Sequence, residues 1–294
     1  MNGVRPQPLV LARPALRLVC QDVRCLALTL ALACVAGAGA ATAGGVETLA
    51  PERQRELLRQ ALSAFDQAVG VTRNDPARAE ELYRQSAGAF ETLAEHGVRN
   101  AALEYNLGNA CFRLGELGHA ILHYRRAERF EPTDAALRAN LEYARNRVEP
   151  YIEPGGGRQL VNRLMFWINR TSIQDRFWMA SIASIAGWLG LTLRLRWRSR
   201  SLTVLACLLI AVGLANAASV GWQLHDETQR PPAVVVGGEH ILRLGRGEGY
   251  DPALTQPLGP GVELRTLSQR ADWVEVELRD GKSGWLPLNA VEKV

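Results

Sequence analysis

The sequence holds no Cys-x-x-Cys pair, which removes a zinc knuckle and a thioredoxin-like redox site. It has no Gly-rich phosphate loop, and its histidines form no Ser/His/Asp or Cys/His arrangement. With nothing to mark a nucleophile or a general base, we expect a chain that is not an enzyme and binds no cofactor. Positive charge is also thin. Of the net +4, Arg5, Arg13, Arg17 and Arg24 against Asp22 supply +3 within the first 40 residues. The remainder is nearly neutral, which excludes the concentrated basic face that nucleic acid requires. Cysteine is scarce: after Cys20, Cys25 and Cys34 only Cys111 and Cys207 remain, and Cys207 lies in an apolar run, so no internal disulfide is expected.

The residues that are present divide the chain into regions. "RCLALTLALACVAGAGAATAGG" has a basic flank, a short apolar run from Cys25 to about Val35, and Ala-x-Ala steps at Ala36–Ala38, Ala38–Ala40 and Ala41–Ala43. These are the features of a secretory signal over residues 1–43. Cleaved or retained as an anchor, it exports the region C-terminal to it. Two longer apolar runs cover 177–193 and 202–224, the second with no charge over 23 residues, enough to span a bilayer. "RLRWRSRS" between them (194–201) carries Arg194, Arg196, Arg198 and Arg200. The positive-inside rule places that short loop in the cytoplasm and both flanking regions on the other side. The signal and the loop thus predict one topology independently: a bacterial inner-membrane hairpin with both soluble regions periplasmic. Gly213, Ala217 and Gly221 recur every four residues on the second run, a stripe suited to close helix packing within the hairpin or with another protein. Asn216 is an amide inside the same run and needs a partner.

Residues 52–148 are rich in Ala, Leu, Glu and Arg, all good helix formers. Breaks at "RNDP", "HGVRN", "LGELG" and "EPTD" predict helices near 52–71, 77–95, 101–113, 117–130 and 134–148. Short paired helices suggest a helical repeat. The stretch 101–134 resembles a tetratricopeptide repeat through Leu107-Gly108, Ala120 with Tyr124, Ala127 and the closing Pro132. Small residues at 108 and 120 let two helices cross closely, and Tyr124 fills the groove beside them. The family's early tryptophan position holds Glu104 and its tyrosine position Cys111. Ala79, Tyr83 and Ser86 resemble a weaker preceding repeat. Such stacks bind peptides or proteins along the face lined by their first helices. The resemblance assigns that face to Tyr105, Asn106, Asn109, Phe112 and Arg113. His119 and His123, with Glu116 one turn earlier, have metal-ligating spacing. In the repeat they occupy outward positions, so no metal is expected.

"EPYIEPGGGR" (149–158) reads as a flexible joint. Leu160, Leu164, Trp167 and Ile168 share one helical side, either of an interfacial helix on the outer leaflet or of a packed soluble helix. From Pro231-Pro232 onward the pattern changes to "AVVVGG", "HILRLG", "GVELRTL", "WVEVEL" and "SGWLPL", a small all-β signature. Residues 231–294 resemble a bacterial Src homology 3-like barrel through Leu242-Arg243, Gly245, Gly249, Trp273-Val274 and Gly284-Trp285. A groove there would be marked by Tyr250 and Trp285, with either core or groove open to Trp285 and the core expected for Trp273. The groove tyrosine of the eukaryotic "Gly-x-x-Pro-x-Asn-Tyr-Val" ending is Ala290 here.

The expected fold is multidomain: an all-α tetratricopeptide-like repeat, a two-helix transmembrane hairpin, and a small all-β Src homology 3-like barrel. That order resembles the BatE family of the Bacteroides aerotolerance operon. The resemblance implies a non-enzymatic membrane scaffold whose partners are other membrane proteins, the Bat-type von Willebrand factor A proteins among them, and a MoxR-type ATPase. A cell-wall module that grips peptidoglycan through the barrel is the alternative.

Overall fold

The computed structural model describes residues 49–153, 155, 171–197 and 199–294. The expected signal, the 160–170 helix and Arg198 lie outside the described residues. The helices begin where the chain supplies caps. Pro51 and Pro76 open α1 (Pro51–Val71) and α2 (Pro76–Glu95), where a missing N–H costs nothing. Asp75, Asn100 and Asp134 accept from the amides of Arg78, Leu103 and Leu137 at 3.0, 2.9 and 2.9 Å, starting α2, α3 (Ala101–Arg113) and α5 (Ala135–Arg145). Gly97 and Gly115 turn the chain out of α2 and α3 at φ 85° and 79°, where a side chain would be strained. Between α3 and α5 lies α4 (Leu117–Phe130).

Consecutive helices pair. A Cβ at Gly108 would lie 2.6 Å from the Tyr124 ring and 3.3 Å from Ala120 O, so α3 and α4 cross as closely as two backbones can. Leu107, Ala120, Tyr124 and Ala127 are buried there, with Ile121, Leu122, Leu137 and Leu141 around them. Each large aliphatic side chain contributes about 1.5–3 kcal/mol. Pro132 sits in the turn between α4 and α5. In the first pair Ser86 Oγ donates to Ala61 O at 2.8 Å.

The C-terminal part is an antiparallel sheet of β1 (Pro232–Val235), β2 (Glu263–Arg270), β3 (Trp273–Leu278), β4 (Ser283–Pro287) and β5 (Val291–Lys293), in the order β4-β3-β2-β1-β5. "HILRLG", expected as a strand, makes only isolated bridges at His240 and Arg243. Gly245, Gly247 and Gly249 come soon after and weaken any ladder there. Alternate residues Val274, Val276, Leu278 and Leu286 fill one face with Leu242, Leu258 and Leu264.

The chain divides into two compact units. Of the described residues, 178–216 form one and the remainder the other. In the first, α6 (Ile173–Trp197) packs against α7 (Arg200–Gln229). Both are long and apolar enough to cross a membrane. Their 25 and 30 residues rise about 38 and 45 Å, against roughly 30 Å of hydrocarbon. A Cβ at Gly187 would meet Ile210 Cγ1 at 2.5 Å, and one at Gly213 would lie 3.1 Å from Ala180 O. Only part of the small-residue stripe serves this contact. Ala217 is exposed and Gly221 faces open space. Asn216 Nδ2 donates to Val212 O of its own helix at 2.9 Å.

In the second unit the sheet is docked on the helices. Strand alternation sends Ala233 and Val235 into the sheet core and Val234 and Val236 into the helical core. A Cβ at Gly118 of α4 would lie 2.7 Å from Val235 O. Residues 149–153, read as a flexible joint, lie against the sheet: Gly259 N donates to Glu149 O at 3.0 Å, and Ile152 packs on the sheet core.

Candidate functional site

The α3 row is built on a polar network. Asn109 Oδ1 accepts from Tyr124 OH at 2.8 Å and from Asn140 Nδ2 at 3.0 Å, and the same Asn140 amide donates to Tyr105 OH at 3.0 Å. Tyr105 and Tyr124 are tilted rings 6.1 Å apart. Burial first, then the neighbouring Tyr105, pushes the Tyr124 hydroxyl above its ordinary pKa, so it remains a donor. Tyr105 and Asn109 therefore fix α5 against α3 as well as lining its face. Phe112 packs on Tyr143 of α5 with centroids 5.6 Å apart, and Arg147 lies 5.0 Å over Phe112 and 4.4 Å over Tyr143. Asn106 is half-buried and Arg113 exposed. The row and its α5 neighbours thus bring together the amides of Asn106, Asn109 and Asn140, the rings of Tyr105, Phe112 and Tyr143, and the guanidinium groups of Arg113 and Arg147. Asn140, Tyr143 and Arg147 join the row from α5. Their helical spacing is visible in the sequence, but their pairing with α3 is not.

His123, expected to point outward with His119, does not. His123 is buried, its Nδ1 2.8 Å from Glu104 Oε2, while Arg99 reaches the other carboxylate oxygen at 3.8 Å. The glutamate at the expected tryptophan position is thus matched by a histidine from the facing helix. Among the described residues no group of three or more His, Cys, Asp or Glu is placed to hold a metal ion. Burial first, then the charges of Glu116 and Glu91, pushes the Cys111 thiol up to about 12, which leaves it unreactive.

On the sheet, Trp285 lies opposite Glu275 on the face away from the core, half-buried, with Arg246 5.6 Å over its ring. Tyr250 is exposed and covers Gly245, where a Cβ would meet the ring at 2.5 Å. Arg243 connects the two: its backbone bridges Trp285 of β4, and its side chain donates to Tyr250 O at 2.8 Å. Trp273, expected in the core, shares the outer face and pairs with Pro287.

The interface between helices and sheet is the most polar buried feature. Glu263 Oε1 and Oε2 accept two hydrogen bonds from Arg145 at 2.8 and 3.0 Å. Arg125 Nε stands 3.0 Å away, and Arg279 also contacts the carboxylate. Burial opposes ionisation, yet the guanidiniums of Arg125, Arg145 and Arg279 outweigh it and hold the Glu263 carboxyl down at about 2. Arg126 pairs with Glu292 at 2.9 Å, and Arg129 with Glu227 of α7 at 2.6 Å. Beyond that, Gln223 Nε2 donates to Glu227 at 2.7 Å, and Gln223 in turn accepts from the fully buried Arg176 of α6. A continuous polar chain therefore joins α6, α7 and α4. Comparison with protein-family models, curated proteins and solved structures finds no match for this chain.

Proposed function

We propose that the chain is a membrane-anchored scaffold whose tetratricopeptide-like helices bind partner proteins through the α3–α5 face. The Src homology 3-like barrel is docked on α4 and on Arg145 of α5. One observation carries this reading. The sheet is seated on α4 through Gly118, Arg125, Arg126 and Arg129 and on α5 through Arg145, none of which belongs to the row Tyr105, Asn106, Asn109, Phe112 and Arg113. In this reading α6 and α7 cross the bacterial inner membrane, the arginine loop is cytoplasmic, and both soluble parts are periplasmic. BatE-like work beside von Willebrand factor A-type membrane proteins fits that arrangement. Photo-crosslinkers at Asn106 and Arg113, in native membranes, are expected to capture a membrane-protein partner, while one at exposed Arg84 of α2 captures none. Equal capture from all three positions would remove the reading.

A peptidoglycan-binding role is favoured by a different observation, the exposed Tyr250 and the Trp285 ring under Arg246, both bonded to Arg243. Pelleting with purified sacculi separates the two. Because Val234 and Val236 are buried against the helices, the full chain in detergent is the form to use. Pelleting that Tyr250→Ala with Trp285→Ala abolishes supports the cell-wall role.

A further inference from the structure

The emergent end of α7 forms one wall of a cleft. Trp222, His225, Asp226, Gln229 and Arg230 line it together with Leu267 of β2. Their spacing of three and four residues places Trp222, His225, Asp226 and Gln229 on one helix face, and Arg230 follows directly on the helix end with its N–H on Asp226 O at 2.8 Å. The opposite wall is the irregular stretch of β2 between Thr266 and Ser268. The volume is about 530 Å³.

We propose that this cleft holds the phosphate of a phospholipid headgroup. The site requires that α7 cross the membrane, as it does in the scaffold reading. The apolar run of α7 ends at Leu224, one residue before His225. From Trp222 to Arg230 the helix rises about 12 Å, enough to cross the roughly 5–8 Å polar layer at one bilayer surface. The cleft therefore opens where headgroups lie. Its chemistry suits a phosphodiester. Arg230 meets Glu277 at 3.6 Å, a single loose contact for a guanidinium with five donors. His225 and Gln229 are exposed and offer further N–H groups. The one acid in the cleft, Asp226, is neutralised by Arg265. Trp222, about half exposed, and Leu267 supply the apolar wall for the glycerol and the first acyl carbons.

The test uses the full chain reconstituted in vesicles of phosphatidylethanolamine and phosphatidylglycerol, with native mass spectrometry after detergent extraction. Wild type is expected to retain one phospholipid per chain under conditions that strip the rest. Arg230→Gln with His225→Gln is expected to lower that retention about tenfold or more, the loss of one or two charge-assisted hydrogen bonds. Glu277→Gln removes the partner of Arg230 without touching the cleft, and is expected to leave retention intact. Equal retention in wild type and the double variant overturns the proposal, as does an equal loss in Glu277→Gln. Release of the wild-type chain from vesicles by alkaline carbonate overturns the membrane-crossing reading as well. Carbonate-resistant chain with unaltered lipid retention overturns the headgroup site alone.

Discussion

Replacing Glu263 by Gln tests what holds the sheet on the helices. The carboxylate is nearly buried, with 11% of its side chain exposed, and faces Arg125, Arg145 and Arg279. Its pKa lies at about 2 against an ordinary 4.5, a difference worth roughly 3 kcal/mol of preference for the docked, ionised state. Because the folded value is depressed, this stabilisation is fully present above pH 4.5. It is lost as pH falls from 4.5 toward 2. Gln keeps the shape but leaves Arg145 and Arg279 without their anion and Arg125 with Glu128 alone, a loss on the order of 3–5 kcal/mol for a broken buried pair. Hydrogen exchange reads this locally at the amides of Val235, bonded to Val262 O at 2.9 Å, and Gly261, bonded to Val235 O at 2.8 Å. Protection there, corrected for intrinsic rates, should fall about a hundredfold in the variant at pH 7. Wild-type protection should fall over the acid window, and the variant's should not. Unchanged protection, or the same acid sensitivity in both proteins, would refute the electrostatic account of docking.

Gly108→Ala forces a methyl group against the Tyr124 ring, and about 1–3 kcal/mol of stability should be lost in chemical unfolding. Tyr124→Phe leaves Asn109 with one donor fewer, and about 1 kcal/mol should be lost in the same assay. In the hairpin, Gly213→Leu meets the backbone of α6, so crosslinking between cysteines placed on α6 and α7 should fall; Gly221→Leu enters open space, and crosslinking should persist.

Helix ends are legible in the sequence because caps are local: Asp75, Asn100 and Asp134 declare themselves within three residues. The helix expected over 134–148 stops earlier, at Arg145, and Val148 is turned onto both cores instead. The apolar runs and most strands are legible from periodicity. Docking is not, because Glu263 meets its arginines across 118 and 138 residues of chain, where no spacing rule operates. One trace is available. "AVVV" lacks the alternation of a half-solvated strand, and an apolar run without alternation is covered on both faces. His123 reads as outward because its variable position says nothing of the buried Glu104 opposite. The α3 row is legible as a set of residues, but its second role, holding α5 through Asn140, needs the third dimension.

In the proposed topology α6 and α7 form a membrane hairpin with the helices and the sheet on one side. Cysteine labelling tests this most directly. In a background with Cys20, Cys25, Cys34 and Cys207 replaced by Ser, Cys111 stays silent, since it is buried with a thiol raised to about 12. An impermeant maleimide applied to intact spheroplasts should label Arg84→Cys and Lys282→Cys, and should reach Ser201→Cys only after lysis. Labelling of Ser201→Cys in intact cells, or protection of either of the other two, would contradict the account.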